Sequence, residues 1–357
     1  MKTLDQLYES IDRFKHYFWY KEKLDHPPVG ISSDGSNTPI VYLRKDFKGT
    51  QIFPEDVNAE LCMTDYEYIS LNRRVVSDDW MPWSAAWRAI PWLEAMSGCP
   101  VKYAYGSLAP EHYVHSLNTL LDIELPANKE WLECYKRQTK ELVETAPPDC
   151  WISPTILRGS SDVISAMRGL TDFYLDLVDD IKIVDEMASR VTDLFIEVLK
   201  IHYSIVKPYL GGYVHNYGYW APEQTYTIQE DALGMCSPDT YRDVFMKYNV
   251  KVVETFGPCI FFHLHSTGYK HYKEILKVPG IAGIELTIEE NGPPLRDMVD
   301  DLKEILKDSR LILFAYHYFE DLPDVLRLIP HEGFYLQISD KFIHSEKDFR
   351  QFIISNW

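Results

Sequence analysis

Short, almost continuously apolar runs alternate along this chain with longer stretches whose apolar residues recur every three or four positions. The runs are Val29-Gly30-Ile31, Cys150-Trp151-Ile152-Ser153-Pro154, a stretch near 213–219, Cys259-Ile260-Phe261-Phe262, then 281–286, 310–316 and 334–338. The longest periodic stretch, 181–207, carries Val184, Met187, Val191, Leu194, Val198, Ile201 and Ile205 at alternating steps of three and four, which marks one buried helix face. Further helices are predicted near 128–145, 162–178, 238–256, 295–307 and 322–329, and a last one after Ser345. Thr3-Leu4-Asp5-Gln6 reads as a capping box, followed by Leu7, Ile11, Phe14 and Phe18 at helical spacing. Ser237-Pro238 couples an N-cap to a proline at the first helical position.

Strands that are apolar on both faces and alternate with helices imply a parallel sheet covered on both sides. About eight strands can be counted, and eight closes a (β/α)8, or TIM, barrel. An open doubly wound sheet would want a G-x-G-x-x-G turn after its first strand, and the chain has none. The expectation is therefore one α/β barrel domain over 1–357. It has an N-terminal helical extension (1–27) and a polar loop over 34–60. A Trp-dense segment over 78–110, with Trp80, Trp83, Trp87 and Trp92, reads as a lid or insertion.

Composition narrows the function. A net charge of -18 without a basic stripe argues against nucleic acid and against an anionic membrane surface. Apolar residues make up 46%, so a large core is expected. The share of aromatics, 14%, suggests an aromatic-lined pocket as well. Six cysteines lack metal-finger spacing and read as scattered buried thiols in a reducing compartment. The polar N-terminus and the lack of a long apolar run point to a cytoplasmic protein.

In a barrel the chemistry sits at the C-terminal strand ends. Those ends offer Tyr213, His215, Tyr217, Tyr219 and Trp220, then His263, His265 and Ser266, then Glu285, His317, Gln337, Ser339 and Asp340; Gln229, Glu230 and Asp231 precede Ser237. His263 and His265 are two apart on a strand and so share a face. Two imidazoles on one face can chelate a divalent ion with one or two more donors, for which Glu285, His317 and Asp340 are candidates. Hydrogen bonding inside a metal-free pocket is the alternative. Arg158-Gly159-Ser160-Ser161-Asp162 opens a helix, where backbone N–H groups and Arg158 can hold a substrate anion; an ordinary cap is the plainer reading. The Trp cluster, Trp92 included, can stack on a flat ligand or fill the core. A carboxylate pair drawn from Glu230, Asp231, Glu285 and Asp340 would suit glycoside hydrolysis.

Several of these segments resemble the uroporphyrinogen decarboxylase superfamily, which includes cobalamin-dependent methyltransferases. They are Ile90-Pro91-Trp92-Leu93-Glu94-Ala95-Met96, Cys99-Pro100-Val101, Arg158-Gly159, Gln229-Glu230-Asp231-Ala232 leading to Ser237-Pro238, and Phe262-His263-Leu264-His265-Ser266-Thr267-Gly268, in that order. The resemblance implies a (β/α)8 barrel. It departs at the N-terminus, where the Arg-rich motif of the true decarboxylases is missing. The methyltransferases bind zinc through H-x-C and a later Cys; here His265 stands where the first Cys would be, and Ser339 or Asp340 near the second. The implied site is a harder His/carboxylate one, suited to zinc or iron(II), with His263, His265, Glu285 and Asp340 as ligands. Methyl would pass between a small methylated substrate and a corrinoid on a partner protein. Asp231, Tyr213 and His215 would serve the chemistry, and Arg158, Trp220, Gln229 and Trp92 would contact substrate. The resemblance also leads one to expect a homodimer. The alternatives are a metal-free decarboxylase of a tetrapyrrole or other polycarboxylate, relying on Arg158, and a barrel that binds a corrinoid or tetrapyrrole without turnover.

Overall fold

The computed structural model describes residues 2–32, 50–60, 62, 63, 66, 73–104 and 107–357. The part of the polar loop over 34–49 lies outside them. Among the described residues the strands that pair in parallel are β1 (Val29–Ser32), β2 (Trp83–Ser84), β3 (Trp151–Ile152), β4 (Tyr226–Gln229), β5 (Ile260–His265), β6 (Gly283–Thr287), β7 (Arg310–Ala315) and β8 (Phe334–Ser339). Ladder bonds join six of them in the order β1-β8-β7-β6-β5-β4, and β2 with β3 as a separate parallel pair. Beside β1 the segment leading into β2 is held by Asp79 and Asp78, whose carboxylates accept from the backbone N–H groups of Val29 and Ile31, and by the Asp79 N–H, which donates to the Val29 carbonyl at 2.7 Å. Between β3 and β4 the Tyr226 hydroxyl donates to the Leu157 carbonyl at 2.8 Å, and the Gly159 N–H donates to the Gln229 carbonyl at 2.6 Å.

The apolar runs are buried on both faces, as their lack of alternation predicts. On β5, Ile260, Phe262 and Leu264 face the helices, whereas Phe261 faces an inner cluster with Ile312, Tyr335, Phe14 and Phe18. The N-terminal helix supplies part of that cluster. It runs over Leu4–Arg13 behind the expected Thr3/Gln6 capping box and continues as a wider turn to Trp19. Phe18 stacks on Phe261 with ring centroids 5.9 Å apart, and Phe14 meets Tyr335 edge-on at 5.0 Å. Leu7, Ile11, Phe14 and Phe18, spaced for one helical face, therefore close off the inner space beside the first half of β5.

The amphipathic helix Ile181–Ile205 buries Val184, Met187, Val191, Leu194 and Val198 against the same outer core. The stretch 162–178, expected as one helix, is two, Ser160–Arg168 and Leu170–Asp179. Gly169 between them has φ +90°, outside helical geometry. All six cysteines are buried and none forms a disulfide. Among the described residues no helix is long and apolar enough to cross a membrane.

Two stretches differ from the sequence-based expectation. The run near 213–219 is not a strand of the parallel sheet. Tyr213–Val214 pairs antiparallel with Trp220–Ala221 across a turn at Gly218, whose φ is +67° and whose missing side chain makes room for Trp80. The parallel strand is the next segment, Tyr226–Gln229. The Trp-dense segment supplies core and a parallel strand rather than a cover. Trp83 pairs with Trp151, and Trp87 and Trp92 are fully buried.

Candidate metal centre

Strand alternation puts Phe261, His263 and His265 on the inner face of β5. In the register, His263 lies between Gln229 of β4 and Glu285 of β6. The Nε2 atoms of His263 and His265 are 3.0 Å apart, and the Asp231 carboxylate is 3.7 Å from Nε2 of His265. One donor atom from each of these three residues lies within 4.8 Å of the other two; among the described residues this is the group arranged to hold a metal ion.

The other ring nitrogens explain why the two Nε2 atoms converge. Nδ1 of His263 is hydrogen-bonded to the fully buried Glu285 carboxylate, and Nδ1 of His265 lies 3.0 Å from Glu289 as an ion contact rather than an aligned hydrogen bond. A carboxylate beside Nδ1 draws the proton to that nitrogen and leaves a lone pair on Nε2. Two lone pairs 3.0 Å apart repel unless a proton or a cation lies between them. Burial pushes the His263 imidazole down, but Glu285 and then Asp231 outweigh it, so its pKa is raised; His265 is raised by Asp231 in the same way. Burial would lift the Asp231 carboxyl, yet its ion contact with His265 and the charge of the two imidazoles hold it below the usual range. Asp231, Glu285 and Glu289 thus surround two imidazoles with negative charge, a setting that favours a dication.

Adjacent carboxylates at the end of β4 have different partners. Asp231 faces the histidines, and Gln229 donates to Oδ2, the same oxygen that lies nearest His265. Glu230 turns the opposite way and accepts from the Ser161 N–H at 2.7 Å, at the start of the helix Ser160–Arg168. Burial, opposed by these serine hydrogen bonds, lifts Glu230 to about 7. A Cβ on Gly159 would lie 2.3 Å from the Glu230 carboxyl carbon, so only glycine fits there. The helix N-terminus expected to hold a substrate anion is therefore filled by the protein's own carboxylate. Arg158 is committed as well, donating to the buried Glu94 at 3.1 Å with part of its side chain exposed.

The remaining candidates are dispersed. Glu285 acts on Nδ1 of His263, behind the metal-facing side. Asp340, half-buried, donates its N–H to Ser32 and lies outside the donor group. His317 is half-buried and also outside that group, and Ser339 is fully buried on β8. Tyr213 packs edge-on to Tyr203, and Trp220 is buried with its carbonyl accepting from Trp19 Nε1 at 2.7 Å. His215 is buried between Tyr217 and Tyr219, and burial keeps it neutral. These three belong to the hairpin 213–221. That hairpin reaches the histidines only through Tyr217, whose hydroxyl is 2.9 Å from Nδ1 of His263. Trp92 is enclosed by Trp131 and Tyr135 and cannot touch a ligand. Glu289 escaped the sequence reading, although Glu285, Thr287 and Glu289 share the two-residue spacing that puts side chains on one face.

No family model matches the chain, and no curated protein matches it in sequence. Among solved structures, a methyltransferase from Methanosarcina mazei shares its fold with a TM-score of 0.60, over 94% of this chain and 92% of that one, at 14% sequence identity. At that identity the likeness is one of fold.

Proposed function

We propose that this chain is a metal-dependent methyltransferase of (β/α)8 barrel architecture, a divergent relative of the uroporphyrinogen decarboxylase superfamily. In this reading β2 and β3 complete the ring opened by the other six strands, and the Asp78/Asp79 and Tyr226 contacts serve as its two seams. The observation that carries the reading is the convergence of two Nε2 atoms on one carboxylate, each imidazole backed at Nδ1 by a second acid. His263, His265 and Asp231 would hold the ion. Two imidazoles and one carboxylate, with positions left open, suit zinc or iron(II). Bound there, the ion supplies Lewis acidity that activates a heteroatom of the substrate.

The protein's own groups do the rest. Glu285 and Glu289 fix the tautomers and orient the rings. Gln229 steadies Asp231. Tyr217 adds a hydroxyl at the back of His263, and the aromatic cluster beneath keeps water from the inner space. The methyl group would pass to or from a corrinoid carried by a partner protein, in line with the methyltransferase fold. A metal-free decarboxylase would lean on Arg158, which is already paired with Glu94, so the metal reading is favoured.

Elemental analysis of protein purified without a histidine tag tests this. Near-stoichiometric zinc or iron in the parent, lost in His263→Ala/His265→Ala, is expected. Absence of metal from both proteins, even after divalent ions are added back, overturns the proposal.

A further inference from the structure

Three hydrogen bonds fasten the stretch that carries Asp231 to the segment 159–174. The Gly159 N–H donates to the Gln229 carbonyl at 2.6 Å. The Ala232 N–H donates to Oδ1 of Asp162 at 2.6 Å, and the Ala232 carbonyl accepts from the Tyr174 hydroxyl at 2.8 Å. Asp162 lies in the first turn of the helix Ser160–Arg168 and is buried; Tyr174 belongs to the next helix, Leu170–Asp179.

A carboxylate in the first turn of a helix ordinarily serves its own helix end. The Asp162 carboxylate instead holds a backbone N–H far along the chain. A peptide unit is planar, so holding the Ala232 N–H fixes the plane that follows the Asp231 Cα. The plane before it is held by the Leu233 N–H, which donates to the Glu230 carbonyl at 3.1 Å. With both planes held, the direction in which Asp231 leaves the backbone is set, and it leads to the histidines, with Oδ2 3.7 Å from Nε2 of His265. Asp162 itself lies outside the donor group.

We propose that Asp162 is a positioning residue for the metal centre. Through the Ala232 N–H it aims Asp231 at the ion, and Tyr174 supports it from the carbonyl side. The consequence for metal binding rests on the metal-centre reading, but the positioning itself can be tested without metal.

Asp162→Ala removes the acceptor, whereas Asp162→Asn keeps an oxygen in its place. Zinc affinity of the full-length protein is read by competition with a chelating dye. Asp162→Ala is expected to weaken zinc binding by about 10- to 100-fold, the range of outer-shell changes, and Asp162→Asn by less than about threefold. In an Asp231→Asn background, Asp162→Ala should add nothing, because its effect runs through Asp231. A crystal structure of metal-free Asp162→Ala should show the Asp231 carboxylate turned away from His265. Should Asp162→Ala not fold, Tyr174→Phe replaces it, with a loss of about three- to tenfold expected from one hydrogen bond. An Asp231 carboxylate unmoved in that structure overturns the proposal. So does zinc affinity unchanged from a zinc-binding parent, a loss in Asp162→Asn as large as in Asp162→Ala, or a loss that adds to that of Asp231→Asn. A parent protein that takes up no metal sinks the metal reading alone, and the metal-free structure then decides the positioning by itself.

Discussion

Phe261 and His263 are two residues apart on one strand and face the same side of the sheet, yet they belong to different environments. Around Phe261 the inner space is filled by Phe14, Phe18, Tyr219 and Tyr335. One step further, the neighbours are Glu285, Tyr217 and His265, and another step on, His265 has a side chain 34% exposed. The first layer is closed by the N-terminal helix and the hairpin 213–221. The second is left to polar loops at the strand ends. Residues in the first layer hold the protein together by burial, and those in the second are held in place so that their lone pairs meet.

This contrast can be broken at either end. Phe261→Ala should cost about 3–5 kcal/mol of stability, read by denaturant unfolding, and leave metal stoichiometry unchanged; a loss of metal at preserved fold would show that the layers are not separable. His265→Ala should do the reverse. Metal affinity should fall by more than about a hundredfold, beyond the range of outer-shell changes, while the metal-free protein melts within a few degrees of the parent. Glu285→Gln keeps the shape but weakens the hold on Nδ1 of His263, and a loss of about 10- to 100-fold in metal affinity is expected from competition with a chelating dye. The Glu230/Asp231 pair sharpens the point within two residues. Glu230→Gln should lower stability by about 1–3 kcal/mol without touching metal binding, and Asp231→Asn should weaken metal binding with little change in stability.

The smallest effect concerns a histidine in the outer layer. His202 is buried beside Tyr135 with no acid near it, and burial lowers its pKa to about 3, opposite to the direction for His263. Above pH ~6.5 it is neutral whether the chain is folded or not. As pH falls from there, the unfolded chain takes a proton that the folded one refuses until near pH 3. Stability should therefore drop on this account by about 1.4 kcal/mol per pH unit. Comparing unfolding of the parent and His202→Gln at pH 7 and pH 5 isolates it; identical slopes would show that His202 is protonated in the folded state.

Much of the fold was legible along the chain. Helix starts at Thr3, Ser237 and Ser345 were readable because a cap is local chemistry, complete within four residues. The strands after residue 258 were readable because each is a run of five or six residues built around Ile, Leu or Phe. Tyr226–Gln229 escaped because its polar ends, Thr225 and Gln229, blur the run. The stretch 213–219 was mistaken for a parallel strand because alternating aromatics look alike in a hairpin and a sheet. Of the candidate metal donors, His263 and His265 were legible as a pair, since strand spacing alone puts them on one face. Asp231 was in view as a residue serving the chemistry and as one of a possible carboxylate pair, not as a metal ligand.

By itself, then, the chain determined the order of its elements, the barrel-like alternation of strand and helix, and the pairing of His263 with His265. All of these depend on neighbours a few residues apart. Only the tertiary structure decided that Asp231 and not Glu230 turns to the histidines, that Glu285 and Glu289 stand behind them, and that Trp92 and the Ser160 helix end are closed to ligands. Those outcomes depend on which strands lie side by side, and strand adjacency is set by the packing of the whole core, not by any local run of residues.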